Sequence, residues 1–188
     1  MFRLPVAPGI QLKLLETSEA KALYLLADRN RARLREWLPW VDQTRSPEDI
    51  KQFILRVLEQ YHSNLGPQAG VWVDGVLCGA VGCHPIDWPN RNCSIGYWLD
   101  SAQEGKGVMT RCCASLADYA FDQLHLHRIE IRCATGNLRS CAVPQRLGFT
   151  REGVAREAEW VNDRWVDLVV WSMLDSDWPG RKPAHEIR

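Results

Sequence analysis

The segment 104–110, Glu-Gly-Lys-Gly-Val-Met-Thr, contains residue types that can bind a phosphate group. Gly105 and Gly107 lie one residue apart, with Lys106 between them. Glycine has no Cβ to hold a phosphate away from the backbone, and the first N–H groups of a following helix point outward at the positive end of its dipole. A Gly-x-Gly turn also serves as plain chain reversal, so the pattern alone leaves both interpretations open.

Residue types that bind metals or form disulfides are present without the spacing that such sites need. The seven cysteines are odd in number and include no Cys-x-x-Cys pair, so we predict neither a disulfide framework nor a zinc ribbon. We interpret them as small buried hydrophobic side chains. His125 and His127, which precede Cys133, are interpreted as a structural corner, and no metal is expected.

The glycine turn lies between a predicted strand and a predicted helix. An apolar run that ends at Leu99 predicts the strand, and apolar residues every three to four positions from Val108 predict a helix with one buried face. Residues 10–14 alternate like a first strand. A helix is predicted to start at Ser18 and to run through Leu34.

Turn residues and alternation predict the remaining elements. Ser46 and Pro47 start a second helix that runs to about Asn64, and Asp74-Gly75 predicts a two-residue hairpin. The other predicted elements are a strand over 128–133, a short helix over 140–147 with Pro144 in its first turn, and a final hairpin over 151–160 and 164–173.

Three segments, in this order and spacing, resemble the GNAT superfamily of acetyl-coenzyme A dependent N-acetyltransferases. They are residues 94–100 (SIGYWLD), 104–110 (EGKGVMT) and 137–149 (NLRSCAVPQRLGF). Within the superfamily the chain resembles the RimJ/RimL branch, which acetylates ribosomal-protein N-termini, and the likeness extends from residues 37–40 (WLPW) to 158–162 (AEWVN). The resemblance implies an α/β (α+β) fold of the GNAT acyl-CoA N-acyltransferase type. Its central mixed, mostly antiparallel sheet has about seven strands and is flanked by about four helices.

The resemblance implies acetyl-coenzyme A as cosubstrate. The family's pyrophosphate signature is Arg or Gln, two residues, Gly, one residue, then Gly or Ala, and the matching positions here are Glu104, Gly107 and Met109. Glu104 is a departure that places a carboxylate near the expected phosphates. The backbone near Leu99, where the strand should separate from the strand over 128–133, is expected to meet the pantetheine arm. The implied cofactor-binding residues are Trp98, Leu99, Gly105, Lys106, Gly107, Val108, Met109, Thr110, Asn137 and Ser140.

The resemblance also implies two catalytic residues. Glu159 stands where the branch places its general base, and Ser140 matches the residue that donates a hydrogen bond or proton to the coenzyme thiol. The residues themselves leave simpler alternatives open, since Glu159 also suits a solvated strand position and Ser140 a helix N-cap. Asn137 suits either a pantetheine contact or an Asx-type turn.

The candidate acceptor-binding residues are Trp37, Trp40 and Trp160, although the first two also suit a rigid corner of the core. The pKa of an α-amine lies below that of lysine, which favours the N-terminus of a protein such as a ribosomal protein as acceptor. One alternative is a small-molecule amine of aminoacyl-nucleotide, polyamine or antibiotic type, as in detoxification or self-immunity. Another is a non-catalytic acetyl-coenzyme A sensor, if Glu104 has spoiled the phosphate site.

Length and composition predict a single domain over 1–175, followed by a C-terminal tail over 176–188. The apolar fraction of 46% and the charged fraction of 24% are those of an ordinary soluble protein. Basic and acidic residues number 23 each, so no general attraction to nucleic acid or a membrane is expected. Neither a signal peptide nor a spanning segment is recognised, which predicts a cytoplasmic protein. The sequence leaves a homodimer open.

Overall fold

Backbone hydrogen bonds join eight strands into one mixed sheet. The structure is a computed structural model that describes residues 2–179. The strands are β1 Arg3–Ala7, β2 Ile10–Leu14, β3 Gln68–Val73, β4 Val76–Cys83, β5 Asn92–Leu99, β6 Arg128–Ala134, β7 Thr150–Val161 and β8 Arg164–Leu174. Their order is β1-β2-β3-β4-β5-β6-β8-β7. Every neighbouring pair is antiparallel except β5 and β6, which confirms the predicted mixed, mostly antiparallel sheet.

Helices cover both faces of the sheet. They are α1 Ala20–Arg29, α2 Arg31–Leu34, α3 Pro47–His62, α4 Val108–Asp122 and α5 Leu138–Arg146. The larger apolar cluster lies between the sheet and α4, and a smaller one lies under α1 and α3. Cys78 belongs to the larger cluster and Leu77 to the smaller, because successive strand residues point to opposite faces.

The sheet has one more strand than predicted, because residues 3–7 pair with β2. Gly9, with φ of +75°, turns the chain back between these strands. β1 is an edge strand, so Pro5 can lie within it although proline cannot donate to a neighbouring strand. This strand was not predicted because it is only five residues long and contains a proline, which is rare inside strands.

The structure also has one more helix than predicted, because the helix expected to run through Leu34 is broken at Asn30. The buried Asn30 amide donates to the Leu26 carbonyl at 2.9 Å and to Asp100 Oδ1 at 3.0 Å. Its Oδ1 accepts from Ser101 N at 3.1 Å. These bonds tie the break to the end of β5, which is 70 residues away in sequence.

Predictions that rest on local turn chemistry are confirmed. Ser46 Oγ accepts from Asp49 N at 3.3 Å and Asp49 Oδ2 accepts from Ser46 N at 2.9 Å, which forms the capping box at the start of α3. Asp74 and Gly75 both have positive φ, 49° and 78°, as a two-residue hairpin turn needs. Within residues 2–179 no helix is both long and apolar enough to cross a membrane.

The chain continues to pack beyond residue 175, where the tail was expected to begin. Trp178 is 8% exposed and contacts Phe121 and Phe149, with ring centroids 5.9 and 6.4 Å away. Its indole N–H donates to Asp118 Oδ1 at 2.7 Å. One residue of the expected tail therefore belongs to the core, and residues 180–188 of that tail lie outside the described part of the chain.

We predict that Trp178→Ala lowers the free energy of unfolding by about 3 kcal/mol, because it removes a large buried ring. Urea denaturation measures this change. The control is Trp165→Ala, whose side chain is 56% exposed and contacts the ring of Trp160; its expected loss is about 1 kcal/mol. Equal small losses in both variants would show that Trp178 contributes nothing to the core.

Candidate active site

Strands β5 and β6 separate part-way along their length and open a slot in the sheet. Their parallel pairing joins Asn92 to Arg128, Cys93 to Ile129 and Ser94 to Glu130. Beyond these pairs, β5 bonds only to β4 and β6 only to β8 within the part of the chain that the structure describes. The slot lies where the resemblance to acetyltransferases placed a separation of the strands.

A cleft of about 1730 Å³ includes this slot. Most of the predicted site residues line it: Trp37, Trp40, Trp98, Leu99, Gly105, Gly107, Val108, Met109, Thr110, Asn137, Ser140 and Glu159. Two predicted residues do not. The Lys106 ammonium donates to Gln103 Oε1 at 3.1 Å, and Trp160 is 48% exposed and packs against Trp165.

The glycine turn has the geometry of a helix start with free backbone donors. Gly105 and Gly107 are left-handed, with φ of 74° and 71°, and Gly107 is the N-cap of α4. Arg111 bonds the carbonyl groups of this turn, with Nη2 2.6 Å from the Lys106 oxygen and Nε 3.3 Å from that of Gly107. The first N–H groups of α4 have no partner within the helix, so they suit an anion.

Ser140 is not the N-cap of α5, because Asn137 takes that position. Asn137 Oδ1 accepts from Ser140 N at 3.1 Å. The Ser140 hydroxyl is therefore not used in capping and lies 3.2 Å from Cys133 Sγ and 3.3 Å from Tyr97 Oη. Burial raises the pKa of Cys133 to about 12 and that of Tyr97 well above its usual value, so both neighbours are neutral at pH 7.

The predicted position of Pro144 in α5 is wrong, because the helix begins at Leu138 and the proline lies near its end. A residue with an N–H at position 144 would bond the carbonyl of Ser140, and proline cannot. Tyr97 Oη donates to that carbonyl instead, at 2.9 Å. The missing donor thus allows a tyrosine of β5 to be fixed beside the Ser140 hydroxyl.

Glu159 is directed into the cleft by an irregularity in β7. The pairing with β8 shifts between Ala155 and Glu159, and Glu157 has φ of +47° with its N–H bonded to Asp167 Oδ1 at 2.8 Å. Such irregularities re-aim side chains. Burial raises the pKa of Glu159, and its carboxylate makes no hydrogen bond or ion pair within residues 2–179. Trp160, the next residue, faces the other side of the sheet.

The carboxylate of Glu104 is paired with two arginines. Arg33 Nη1 lies 2.6 Å from Oε1, and Arg139 Nη1 lies 2.5 Å from Oε2. The three side chains together carry a net positive charge beside the glycine turn. The departure from the family's pyrophosphate signature is therefore compensated by residues from α2 and α5.

Two tryptophans of the segment between α2 and α3 form part of the cleft wall. Both Trp37 and Trp40 are half-buried. Trp40 packs against Trp98, with ring centroids 6.0 Å apart, and the guanidinium of Arg164 lies 5.8 Å from the ring of Trp37. These contacts fit both earlier interpretations, since each ring packs on the protein and also faces the cleft.

Sequence reasoning missed several residues of this cleft. Tyr97 lies within the segment 94–100 that resembles the family. Its hydrogen bond to the Ser140 carbonyl could have been suspected because Pro144 has no N–H to bond that carbonyl. Arg139 could have been paired with Glu104 as an opposite charge, whereas Arg33 is 71 residues away and has no local signal. No group of three or more His, Cys, Asp or Glu side chains that could hold a metal occurs in residues 2–179.

Known proteins similar to this chain are acetyltransferases. A family model described as an acetyltransferase (GNAT) domain matches residues 10–150. The chain is 39% identical to a putative ribosomal N-acetyltransferase, YdaF, of Bacillus subtilis (strain 168), over 97% of this chain and 100% of that protein.

Two solved structures are also similar. One is RimL, a ribosomal L7/L12 alpha-N-protein acetyltransferase in complex with coenzyme A, with a TM-score of 0.90 and 25% identity over 94% of this chain and 100% of that one. The other is the microcin C7 self-immunity acetyltransferase MccE in complex with acetyl-CoA and AMP. Its TM-score is 0.87, with 28% identity over 90% of this chain and 94% of that one.

We predict that Gly107→Val weakens the binding of acetyl-CoA, because valine strains the left-handed backbone that directs the N–H groups of α4. Calorimetric titration measures the affinity. Gly75→Val is the control, since Gly75 has a similar φ of +78° and lies outside the cleft. Both variants should lose about 1–2 kcal/mol of stability. Unchanged affinity in a folded Gly107→Val protein would remove this turn from the site.

Proposed function

This chain belongs to the GNAT family of acetyl-CoA-dependent N-acetyltransferases, and from that membership we propose that it acetylates the N-terminal α-amine of a protein, such as a ribosomal protein. In this proposal Glu159 is the general base and Ser140 donates to the departing thiol. The single observation that carries it is that both side chains line one cleft together with the glycine turn, although they come from β7 and α5.

The reaction forms an amide bond between the acceptor nitrogen and the acetyl carbon while the bond from that carbon to sulfur breaks. The nitrogen must lose a proton and the sulfur must gain one. Glu159, with no partner within residues 2–179, is available to accept the first proton directly or through a water. The Ser140 hydroxyl is not used in capping and donates to Cys133 Sγ or Tyr97 Oη, and rotation of its single proton would let it donate toward the sulfur instead.

An α-amine is an acceptor that a single carboxylate can deprotonate at neutral pH. Its pKa is about 7.8, against about 10.4 for lysine, so freeing the lysine amine requires roughly 3.5 kcal/mol more. No second base beside Glu159 is needed for the α-amine. The relatives named for ribosomal-protein acetylation support a protein N-terminus as acceptor.

A small-molecule amine is the second candidate, and the aromatic wall favours it. Trp37 and Trp40 present flat surfaces to the cleft, and such surfaces suit a nucleobase. The similar structure of MccE contains AMP and acetyl-CoA, which supports an aminoacyl-nucleotide as the small-molecule acceptor in this alternative. Mass spectrometry of N-terminal peptides and small amines incubated with the protein and acetyl-CoA distinguishes the two classes.

A cytoplasmic location is part of the proposal. All seven cysteines are free thiols, which is typical of a reducing compartment. The pairing of Glu104 with two arginines also argues against a sensor whose phosphate site is spoiled, because the carboxylate does not face the phosphates uncompensated.

We predict that Glu159→Gln lowers kcat by about 10²–10⁴ at neutral pH and leaves acetyl-CoA affinity unchanged, because it removes the base and keeps the shape. Wild-type kcat/KM should rise with pH through the raised pKa of Glu159 and again through that of the amine. The variant should show only the second rise. Steady-state kinetics over pH 5 to pH 9.5 test this.

The control is Glu157→Gln, which removes a carboxylate from the exposed part of the same irregularity and should keep wild-type rates. Burial disfavours the ionised form of Glu159, so this side chain lowers the stability of the folded protein as the pH rises through its raised folded-state pKa. Glu159→Gln should therefore melt at the wild-type temperature or above at pH 7. Wild-type kcat in Glu159→Gln at every pH would refute the assignment.

We predict that Ser140→Ala lowers kcat by only about tenfold to a hundredfold. The thiolate of coenzyme A, with a thiol pKa near 8.5, is a fair leaving group without a donor. Raising the pH should not restore the loss, unlike the loss in Glu159→Gln. Ser63→Ala, a change at an exposed serine outside the cleft, is the control. If Ser140→Ala has wild-type kcat, Ser140 is not the donor.

A further inference from the structure

The two arginines that pair with Glu104 are held very differently. Arg33 Nη2 also donates to the Leu99 carbonyl at 2.6 Å and to Asn30 Oδ1 at 3.2 Å, so its position is fixed by the backbone of β5. Arg139 bonds only Glu104 among residues 2–179, and its side chain is 82% exposed. Of the two cations, Arg139 is therefore the one that can move to another anion.

The Arg139–Glu104 pair joins the two walls of the slot. Glu104 follows β5 and immediately precedes the glycine turn, whereas Arg139 lies in the first turn of α5, which follows β6. Both side chains line the cleft. The pair therefore lies beside the N–H groups at the start of α4 that suit the pyrophosphate. It spans the gap between the glycine turn and α5, where the cofactor is expected to bind.

We propose that Arg139 is a phosphate-binding residue for acetyl-CoA and that Glu104 is its counterion in the cofactor-free protein. On binding, Arg139 exchanges the Glu104 carboxylate for a cofactor phosphate. This proposal rests on the family's use of acetyl-CoA and not on the identity of the acceptor. The pyrophosphate as a whole carries more negative charge than one carboxylate, and its oxygens accept bidentate bonds from guanidinium, so the exchange is favourable.

The exchange gives Glu104 a role in turnover. Breaking the Arg139–Glu104 bond offsets part of the attraction between Arg139 and the phosphate. The carboxylate, then paired with Arg33 alone, also repels the phosphates more than it does when both arginines neutralise it. Affinity for both acetyl-CoA and the product coenzyme A is lowered, since both carry the same phosphates. A lower affinity speeds product release, a step that limits many enzymes.

The first test is calorimetric titration of acetyl-CoA into matched variants. Arg139→Gln should weaken binding about tenfold, the effect expected for one hydrogen bond to a charged group. Arg151→Gln, which makes the same charge change at an exposed residue outside the cleft, should leave affinity unchanged. Glu104→Gln should tighten binding several-fold. Arg139→Gln should also weaken binding more in a Glu104→Gln protein than in the wild type, because no carboxylate then competes.

The second test replaces acetyl-CoA by S-acetylpantetheine, a donor without phosphates. Arg139→Gln should leave kcat/KM for this donor unchanged while it lowers kcat/KM for acetyl-CoA. Equal losses with both donors would mean that Arg139 only holds α5 in place, and would overturn the proposal.

Two other results would overturn it as well. One is wild-type acetyl-CoA affinity in Arg139→Gln, and the other is weaker binding in Glu104→Gln, which would mean that the carboxylate positions the arginine instead of competing for it. Failure of the acceptor proposal gives a different pattern, in which acetyl-CoA binds and responds to these changes but no protein N-terminus is acetylated.

Discussion

The separation of β5 from β6 is the constraint on which the rest of the site depends. Within a sheet, each strand normally satisfies the backbone groups of its neighbour, and beyond Ser94 this pairing stops. The facing edges of both strands then present N–H and C=O groups to the slot. An extended ligand with amide groups can satisfy such edges as an added strand does. The pantetheine arm of acetyl-CoA has this chemistry.

An opening in the middle of a sheet needs cross-links to keep its width, and side chains provide them here. Tyr97 of β5 bonds the Ser140 carbonyl of α5, and this bond exists because Pro144 leaves that carbonyl unpaired. At the mouth of the slot, Glu104 bonds Arg139. Both bonds connect an element on the β5 side to α5, so one helix carries both Ser140 and Arg139.

The sequence predicts features with local causes and misses features with distant ones. Ser46 and the Asp74-Gly75 turn were found because capping and turn geometry depend on a few adjacent residues. The helix breaks at Asn30, where the side chain bonds Asp100 and Ser101. No residue close to Asn30 in the sequence indicates that the helix ends there.

The candidate site divides in the same way. Residue motifs predicted the glycine turn, and the resemblance to acetyltransferases implied the strand separation. The irregularity that directs Glu159 inward depends instead on a partner in β8. Trp160 should not have been predicted to bind the acceptor together with Glu159. Adjacent residues of a strand face opposite sides, and Glu159 was already assigned to the cleft. The assignment of roles to Glu159 and Ser140 remains a prediction.

The surroundings of the two proposed proton-transfer groups differ in a way that suits their tasks. Near Ser140, burial keeps Tyr97 and Cys133 neutral, so no fixed negative charge opposes the thiolate that forms when the thioester breaks. Glu159 is only partly buried, and burial raises its pKa, which brings it closer to that of an amine. Deeper burial would make this carboxylate a stronger base but would also leave less of it ionised. Partial burial at the cleft wall therefore suits a base for the proposed α-amine acceptor, whose own pKa lies near neutrality.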